Sequence, residues 1–270
     1  MVMPQDPGDE AGQDAAPPGA PAGQRWRRAG LLVVLGASLC GLGIAAAGVV
    51  SQVTPRTFTT AQRREIQNWE VGNRWRALPV SVIFPASVTY QLSGATLDGT
   101  EGLKLSAHRI GVAPPATCAG GADSAAARVL RRYHCATLLR ATYTDSTGSM
   151  VATVGVAVLP DIADATAAGN RLGTAAADGE HYGVRSAAVG GTVAEHFADG
   201  QRQLFLDTEA GPYVILTTVG YSDGRPRTRS SSDHYLSREM ASLAQGLSQQ
   251  ASGVLGTAPP VPACPGAPGC

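Results

Sequence analysis

The longest apolar stretch of the chain lies near its N-terminus. Residues 29–50 carry no charge and a single hydroxyl, Ser38. At about 1.5 Å of rise per residue, a helix of this length spans roughly 33 Å, enough to cross the hydrocarbon core of a bilayer. The pattern therefore predicts one transmembrane helix. Small residues recur four apart at Ala37, Gly41 and Ala45, a spacing that supports transmembrane homodimers and is also common in such helices generally.

The residues around this stretch indicate its orientation in the membrane and whether it is cleaved as a signal peptide. Trp26 and three arginines precede it directly, which is typical of a cytoplasmic interface. An A-x-A-like site ends at Ala47, so signal cleavage near Ala47 and release of the remaining chain is one alternative. The apolar run continues to Val50, whereas a cleavable signal needs only about 7–15 apolar residues. We therefore expect an uncleaved signal-anchor in the cell membrane, with the N-terminus cytoplasmic and the C-terminal domain extracytoplasmic.

Beyond the apolar stretch, the sequence predicts a short juxtamembrane helix. Thr59 and Gln62 form a T-x-x-Q capping box, and apolar residues then recur at helical spacing as far as Gly72. We expect this helix to act as a stalk. Residues 78–92 switch to alternating and β-branched positions interrupted by two prolines, which favours one or two edge strands. Residues 93–121 are rich in Gly and Pro and show only a weak pattern.

Turn residues between β-type runs predict two hairpins. The first turn reads D-S-T-G at residues 145–148, and the second reads E-A-G-P at residues 209–212. The strands that they join are predicted at 141–144 with 150–160, and at 203–208 with 213–221. Weaker strand patterns cover residues 184–189 and 192–197.

Helical patterns separate these hairpins. They cover residues 124–133, with Asp123 as a possible N-cap, then residues 161–172, and finally residues 233–254. The last helix carries an apolar stripe from Leu236 to Val254. We expect this stripe to pack on the sheet, with an oligomer seam as the alternative.

Hairpins separated by helices, without regular strand–helix–strand alternation, predict an α+β fold in which an antiparallel sheet packs with helices. Both ends of the chain are rich in Gly and Pro and lack a periodic apolar face, so both are predicted to be disordered. The predicted plan is a cytoplasmic tail at 1–28, a transmembrane helix at 29–50, a stalk helix within 51–78, an extracytoplasmic domain at 79–254 and a Cys-containing tail at 255–270.

The cysteines give an independent indication of the compartment. Cys40 lies inside the apolar stretch, and four cysteines follow it: Cys118, Cys135, Cys264 and Cys270. An even number on one side of a membrane, without C-x-x-C pairs or interleaved His, predicts two disulfides in an oxidising compartment. The sequence-local pairs Cys118–Cys135 and Cys264–Cys270 are favoured, and the alternative pairings would join the C-terminal tail to the domain.

Charge and motif content exclude several classes of function. The 21 basic and 21 acidic side chains cancel, so the chain lacks the global cationic field of a nucleic-acid-binding domain. No G-x-S-x-G, H-E-x-x-H, P-loop or EF-hand motif occurs, and Lys104 is the only lysine. We therefore expect no cofactor and no metal, and a non-enzymatic protein rather than an enzyme.

An arginine-rich segment is the most distinctive polar feature after the apolar stretch. In GRPRTRSSSD at residues 224–233, Arg225, Arg227 and Arg229 alternate with Pro and Thr. In an extended chain their guanidinium groups would project to one side, where they could engage phosphate or carboxylate groups of an envelope polymer or a partner. A solvated surface loop would have the same composition, and this is the alternative.

A second polar segment contains His181 close to Asp178 and Glu180. These residue types could form an acid/base or metal site, although a solvated turn explains them equally. An envelope hydrolase or transferase with a site near His181 is therefore the enzymatic alternative.

Some features of the chain resemble known membrane proteins. The run WRALPVSVIFP at 75–85, the terminal CPGAPGC, the Pro/Ala-rich head and the preference for Arg over Lys resemble single-pass membrane proteins of actinomycetes. The order of hairpins and helices from Asp123 onward is similar to that of disulfide-bonded extracytoplasmic sensor domains on actinobacterial receptor kinases. That likeness implies a binding or sensing module. We expect a non-enzymatic, membrane-anchored extracytoplasmic domain that contacts an envelope component or a membrane partner.

Overall fold

A computed structural model describes residues 58–92, 102–177, 182–227, 234–259, 266–267 and 270. The predicted cytoplasmic tail, the transmembrane helix with Ala37, Gly41 and Ala45, and the cleavage alternative at Ala47 all lie outside the described residues. Within the described ranges, no helix is both long and apolar enough to cross a membrane.

Helices and strands alternate irregularly along the described chain. The helices are α1 (Thr60–Ala77), α2 (Val80–Ile83), α3 (Cys118–Gly121), α4 (Ser124–Arg132), α5 (Ile162–Ala177) and α6 (His234–Gly256). The strands are β1 (Ser87–Gln91), β2 (Lys104–Ala116), β3 (Thr137–Asp145), β4 (Met150–Val158), β5 (Arg202–Ala210) and β6 (Tyr213–Tyr221). All strand pairs are antiparallel, and the order in the sheet is β1-β2-β3-β4-β6-β5. The α+β prediction with an antiparallel sheet is confirmed.

Both faces of this sheet are covered. On one face, here called the front, Val154 and Ile215 pack in a cluster with Leu243 and Leu247 of α6. On the opposite face, the back, strand residues such as Leu216 pack with α4 and α5. All nine residues of β4 are buried as a result, which explains why this strand is almost continuously apolar instead of alternating.

The apolar stripe of the last helix packs on the sheet as predicted. Met240, Leu243, Leu247 and Ala251 are all buried in the front cluster. At the C-terminal end of the stripe, Leu255 is fully buried instead of the predicted Val254. The side chain of Leu236 lies outside the described part of the helix.

The capping box at the start of α1 is confirmed. The Gln62 N–H donates to Thr59 Oγ1 over 3.2 Å, and the Thr59 N–H donates to Gln62 Oε1 over 3.0 Å. The predicted end at Gly72 is wrong, because the helix continues to Ala77. Val71 is buried in the front cluster, and its carbonyl accepts a 2.6 Å hydrogen bond from Tyr213 Oη. This packing outweighs the low helix propensity of glycine, and it places the helix that we expected to be a stalk against the sheet.

The strand predictions for residues 78–121 and 184–197 have different outcomes. Of the one or two edge strands predicted within 78–92, one forms: β1 lies at an edge of the sheet, while residues 80–83 form the helical turn α2. Strand β2 forms within the segment that showed only a weak pattern. The weak strands predicted at 184–189 and 192–197 do not form: apart from an isolated bridge between Val184 and Ala122, these residues are turns and irregular chain.

Candidate functional site

Residues 182–189, here called the crossing segment, run across the strands on the back of the sheet. Gly183 lies against Phe205 of β5 and Thr218 of β6. Further along, the Ala187 N–H donates to Thr153 Oγ1 over 3.2 Å, and the Ala187 carbonyl accepts from Thr142 Oγ1 over 2.6 Å. The segment therefore uses its backbone to contact strands instead of pairing with one, which is why its alternating sequence does not form a strand.

Glycines make this close approach possible. A Cβ added at Gly155 would lie 2.7 Å from Val184 Cγ2, and one at Gly111 would lie 2.6 Å from Val189 Cγ2. A Cβ on Gly183 itself would lie 2.3 Å from Phe205 Cδ1. Such separations are far inside van der Waals contact, so these glycines allow the crossing segment to lie flat on β4, β2 and β5.

A buried ion pair fixes the start of the crossing segment. Arg202 Nη2 donates to Asp123 Oδ1 over 2.8 Å, and Arg202 Nη1 donates to Asp123 Oδ2 over 2.9 Å. The two side chains are only 3% and 9% exposed. Asp123 Oδ2 also accepts from the Gly183 N–H over 3.0 Å, and Arg202 Nη1 also donates to the Val184 carbonyl over 2.8 Å. Asp123 occupies the N-cap position of α4 as predicted, but its side chain makes no capping hydrogen bond, because Arg202 and Gly183 occupy its oxygens.

Three side chains form a partly exposed arginine–aromatic surface beside this ion pair: Tyr182, Phe205 and Arg227. The ring centroids of Tyr182 and Phe205 are 5.8 Å apart, and Tyr182 Oη donates to the Phe205 carbonyl over 3.3 Å. The Arg227 guanidinium lies 5.1 Å from the Phe205 ring centroid, and the Arg227 N–H donates to the Gly200 carbonyl over 3.0 Å. Sequence reasoning singled out Arg227 but not its aromatic neighbours.

No protein-family model, curated protein or solved structure matches this chain.

The arginine-rich segment does not project its side chains to one side. The Arg225 guanidinium lies 4.2 Å from the Tyr221 ring centroid, and Tyr221 packs against the front cluster. Arg227 lies instead over Phe205, which is paired in register with Thr218 on the back. The expectation of a common direction is thus wrong for Arg225 and Arg227, because each stacks on an aromatic ring of a different face. Arg229 lies outside the described residues.

Arg225 also has a counter-ion. Its Nε donates to Asp223 Oδ2 over 2.8 Å, and both side chains are about half exposed, at 54% and 51%. Hydrogen bonds from Arg225 hold the pKa of the Asp223 carboxyl below its usual range. Arg227 differs from Arg225 in its surroundings, because it lies over Phe205, whose ring is 5.8 Å from that of Tyr182.

Asp207 is an acidic neighbour of the arginine–aromatic surface. Burial raises the pKa of its carboxyl, and the Glu209 carboxylate raises it further. Burial also raises the pKa of the Tyr182 hydroxyl, with Asp207 as a second cause. The ionised form of Asp207 is therefore disfavoured by its surroundings in the folded protein.

The substitution Asp207→Asn is expected to stabilise the protein at pH 7. Because the folded-state pKa lies above the ordinary value of 3.8, the folded state loses stability as pH rises from 3.8 through the folded-state pKa. An uncharged amide at position 207 removes that loss. In urea titrations, the free energy of unfolding of Asp207→Asn should therefore exceed that of the wild type at pH 7, and the difference should shrink toward pH 4. Asp223→Asn is the matched control with a lowered carboxyl pKa, and its pH trend should have the opposite sign. A gain for Asp207→Asn that is independent of pH would contradict this electrostatic origin.

The other predicted site residues, Asp178, Glu180 and His181, lie outside the described residues. Tyr182, which follows His181 directly, lies on the arginine–aromatic surface. The enzymatic alternative near His181 stays a prediction. Among the described residues, no group of three or more His, Cys, Asp or Glu could hold a metal ion.

The disulfide between Cys118 and Cys135 is confirmed, and it is consistent with an extracytoplasmic domain. The bond joins Cys118, in α3, to Cys135, which lies three residues beyond the end of α4 at Arg132. Cys270 is also disulfide-bonded, while Cys264 lies outside the described residues, so the Cys264–Cys270 pair remains a prediction.

Two clefts on the surface of the described residues lie away from the crossing segment. A polar cleft of about 450 Å³ lies between β1 and α6 and contains Lys104. Its remaining lining is mainly amide and hydroxyl side chains, from Thr89, Tyr90, Gln91, Ser242, Gln245 and Gln249. A more apolar cleft of about 320 Å³ lies between α1 and the start of α5, where Ile162 is 49% exposed. Neither cleft contains the residues of the arginine–aromatic surface.

Proposed function

We propose that this protein is a non-enzymatic, membrane-anchored extracytoplasmic binding domain. Its arginine–aromatic surface would contact an anionic component of the cell envelope or a membrane partner. The predicted apolar anchor and the Cys118–Cys135 disulfide support the location. The composition of the surface supports binding.

The position of Arg227 over Phe205 is the observation on which the proposal rests. Arg and Tyr are enriched among the few residues that supply most of the binding energy at interfaces, and Phe is enriched at interfaces generally. Arg227 is exposed, whereas Phe205 and Tyr182 are partly buried and held by the sheet. A guanidinium beside aromatic rings can combine a cation–π contact with charge-assisted hydrogen bonds to carboxylate or phosphate. The surface thus has the residue types that bind a planar or tetrahedral oxyanion group on a larger partner.

Site-specific photo-crosslinking in intact cells tests this proposal. A benzoylphenylalanine at position 226 would replace Pro226, which is exposed beside Arg227, and leave Arg227 in place. We expect an adduct to an envelope component or membrane protein whose yield falls about tenfold when Arg227→Ala is added, because a charge-assisted contact of about 1.4 kcal/mol is lost.

Arg171→Ala is the matched control, since Arg171 is an exposed arginine on α5. The adduct yield should not change in that variant. The proposal would be wrong if no adduct formed at position 226, or if Arg227→Ala and Arg171→Ala gave the same yield.

A further inference from the structure

A second arginine pair lies on the back of the sheet. In β3, Leu139 and Ala141 pack on the front, so the intervening Arg140 faces the back. Arg140 is in register with Gly155 of β4, and Val184 of the crossing segment lies against Gly155. Arg185, the next residue of the crossing segment, therefore comes close to Arg140.

The guanidinium of Arg140 is incompletely satisfied. Its Nε is buried and has no hydrogen-bond partner. Across the described ranges, no carboxylate lies within ion-pair distance of Arg140 or Arg185. A buried polar N–H without a partner is costly, so this arrangement is the kind that a bound anion would complete.

The carboxylate that acts electrostatically on Arg140, that of Asp199, is already used by other donors. Asp199 Oδ1 accepts from the Ser186 N–H over 2.9 Å and from Ser186 Oγ over 3.0 Å, and it lies 3.5 Å from Arg202 Nε. Asp123 is likewise paired with Arg202. Among the described residues discussed here, the three arginines Arg140, Arg185 and Arg202 thus face the two aspartates Asp123 and Asp199, an excess of one positive charge.

The electrostatics agree with this charge count. Burial lowers the pKa of the Arg140 guanidinium, Asp199 raises it, and Arg185 lowers it. A second guanidinium near a half-buried one is electrostatically unfavourable, and an anion between them would remove the repulsion.

We propose that Arg140 and Arg185 bind a phosphate group on the back of the sheet, beside the crossing segment. Two guanidinium forks can together donate several N–H bonds, which suits the three or more oxygens and the charge of a phosphate better than a single carboxylate. The phosphate can belong to free inorganic phosphate or to an anionic lipid headgroup. This site is separate from the arginine–aromatic surface and does not depend on its proposed role.

Thermal unfolding of the full chain in a neutral detergent tests the site. Inorganic phosphate, acetate and chloride would be compared at constant ionic strength and pH 7.5. We expect phosphate to raise the Tm in a saturable manner. In Arg185→Gln, the phosphate concentration that gives half of this effect should rise about tenfold, as expected for the loss of one charge-assisted contact. Arg185 is exposed, so this variant should fold normally.

A second variant and a control keep the outcome unambiguous. Arg140→Gln should also lose the phosphate response, and its Tm without phosphate should be equal to or above that of the wild type, because the repulsion is gone. Arg171→Gln should respond as the wild type does. Equal responses to phosphate, acetate and chloride, or equal responses of Arg185→Gln and Arg171→Gln, would overturn the proposal.

Lipid vesicles separate the two sources of phosphate. Arg185-dependent binding to phosphatidylglycerol vesicles, but not to phosphatidylcholine vesicles, would support the site and assign it to a lipid headgroup. A response to inorganic phosphate without vesicle binding would support it with the free ion as ligand. The absence of any Arg185-dependent response to either source would overturn it.

Discussion

Replacing Asp123 with Ala is expected to lower the free energy of unfolding by about 3–5 kcal/mol, the usual loss when one partner of a buried ion pair is removed. The substitution removes the buried, bidentate counter-ion of Arg202, whose side chain is only 3% exposed, and leaves it only the more exposed Asp199 at 3.5 Å. It also removes the acceptor of the Gly183 N–H. The crossing segment should therefore loosen together with the loss of global stability.

Urea unfolding measures the stability, and amide hydrogen exchange over residues 183–187 measures the loosening. Asp223→Ala is the matched control, because it breaks an Asp–Arg pair of the same chemistry on the surface. Surface pairs contribute little, so this control should change neither quantity appreciably.

A double variant separates the lost charge pairing from lost packing. Asp123→Leu combined with Arg202→Met removes both charges and keeps apolar volume, so it should recover part of the lost stability. If Asp123→Ala were as mild as Asp223→Ala, the buried pair would not be what fixes the crossing segment.

The second large effect is expected from the disulfide. Replacing both Cys118 and Cys135 with Ala should cost about 3 kcal/mol, as estimated from loop closure for cysteines 17 residues apart. The bond keeps α3 in place, and the Gly121 carbonyl at the end of α3 accepts from the Arg185 N–H over 2.8 Å. Loss of the disulfide should therefore destabilise the crossing segment as well as α3.

Unfolding with and without a reductant measures this contribution. On reduction, the wild type should lose the free energy that the double Cys→Ala substitution removes, plus whatever the variant loses when it is reduced in turn. Any further loss when the variant itself is reduced reports on the disulfide of Cys270. If the wild type and the variant unfolded at the same urea concentration under oxidising conditions, the Cys118–Cys135 bond would not stabilise the fold.

Local signals predicted the elements whose structure is locally determined. The turn after β3 forms because Asp145 accepts from the Met150 N–H over 2.7 Å and from the Thr147 N–H over 3.0 Å, both within the predicted D-S-T-G hairpin. The hairpin at Gly211 forms because this glycine adopts φ +59°, a conformation that glycine accepts easily.

Elements defined by distant contacts could not be predicted in this way. Strand β2 forms mainly because β1 and β3 pair with it on either side, despite the Gly and Pro in its sequence. The crossing segment alternates like a strand, and only its contacts with Gly155 and Gly111 show that it lies across the sheet.

The same distinction applies to the candidate site. Arg227 could be singled out because arginines alternate near it in the sequence. Phe205 and Tyr182 could not, because the former belongs to an ordinary strand pattern and 23 residues separate them along the chain. Asp123 and Arg202 are 79 residues apart, so their pairing depends entirely on the topology of the sheet.

Trapping the thiols of intact cells with a membrane-permeant alkylating reagent tests the proposed extracytoplasmic location most directly. If the domain lies outside the cytoplasm, Cys118 and Cys135 should be unmodified before reduction and fully modified after it, because disulfides persist in oxidising compartments. Both thiols being free and alkylated in unreduced cells would place the domain in a reducing compartment and contradict the proposal.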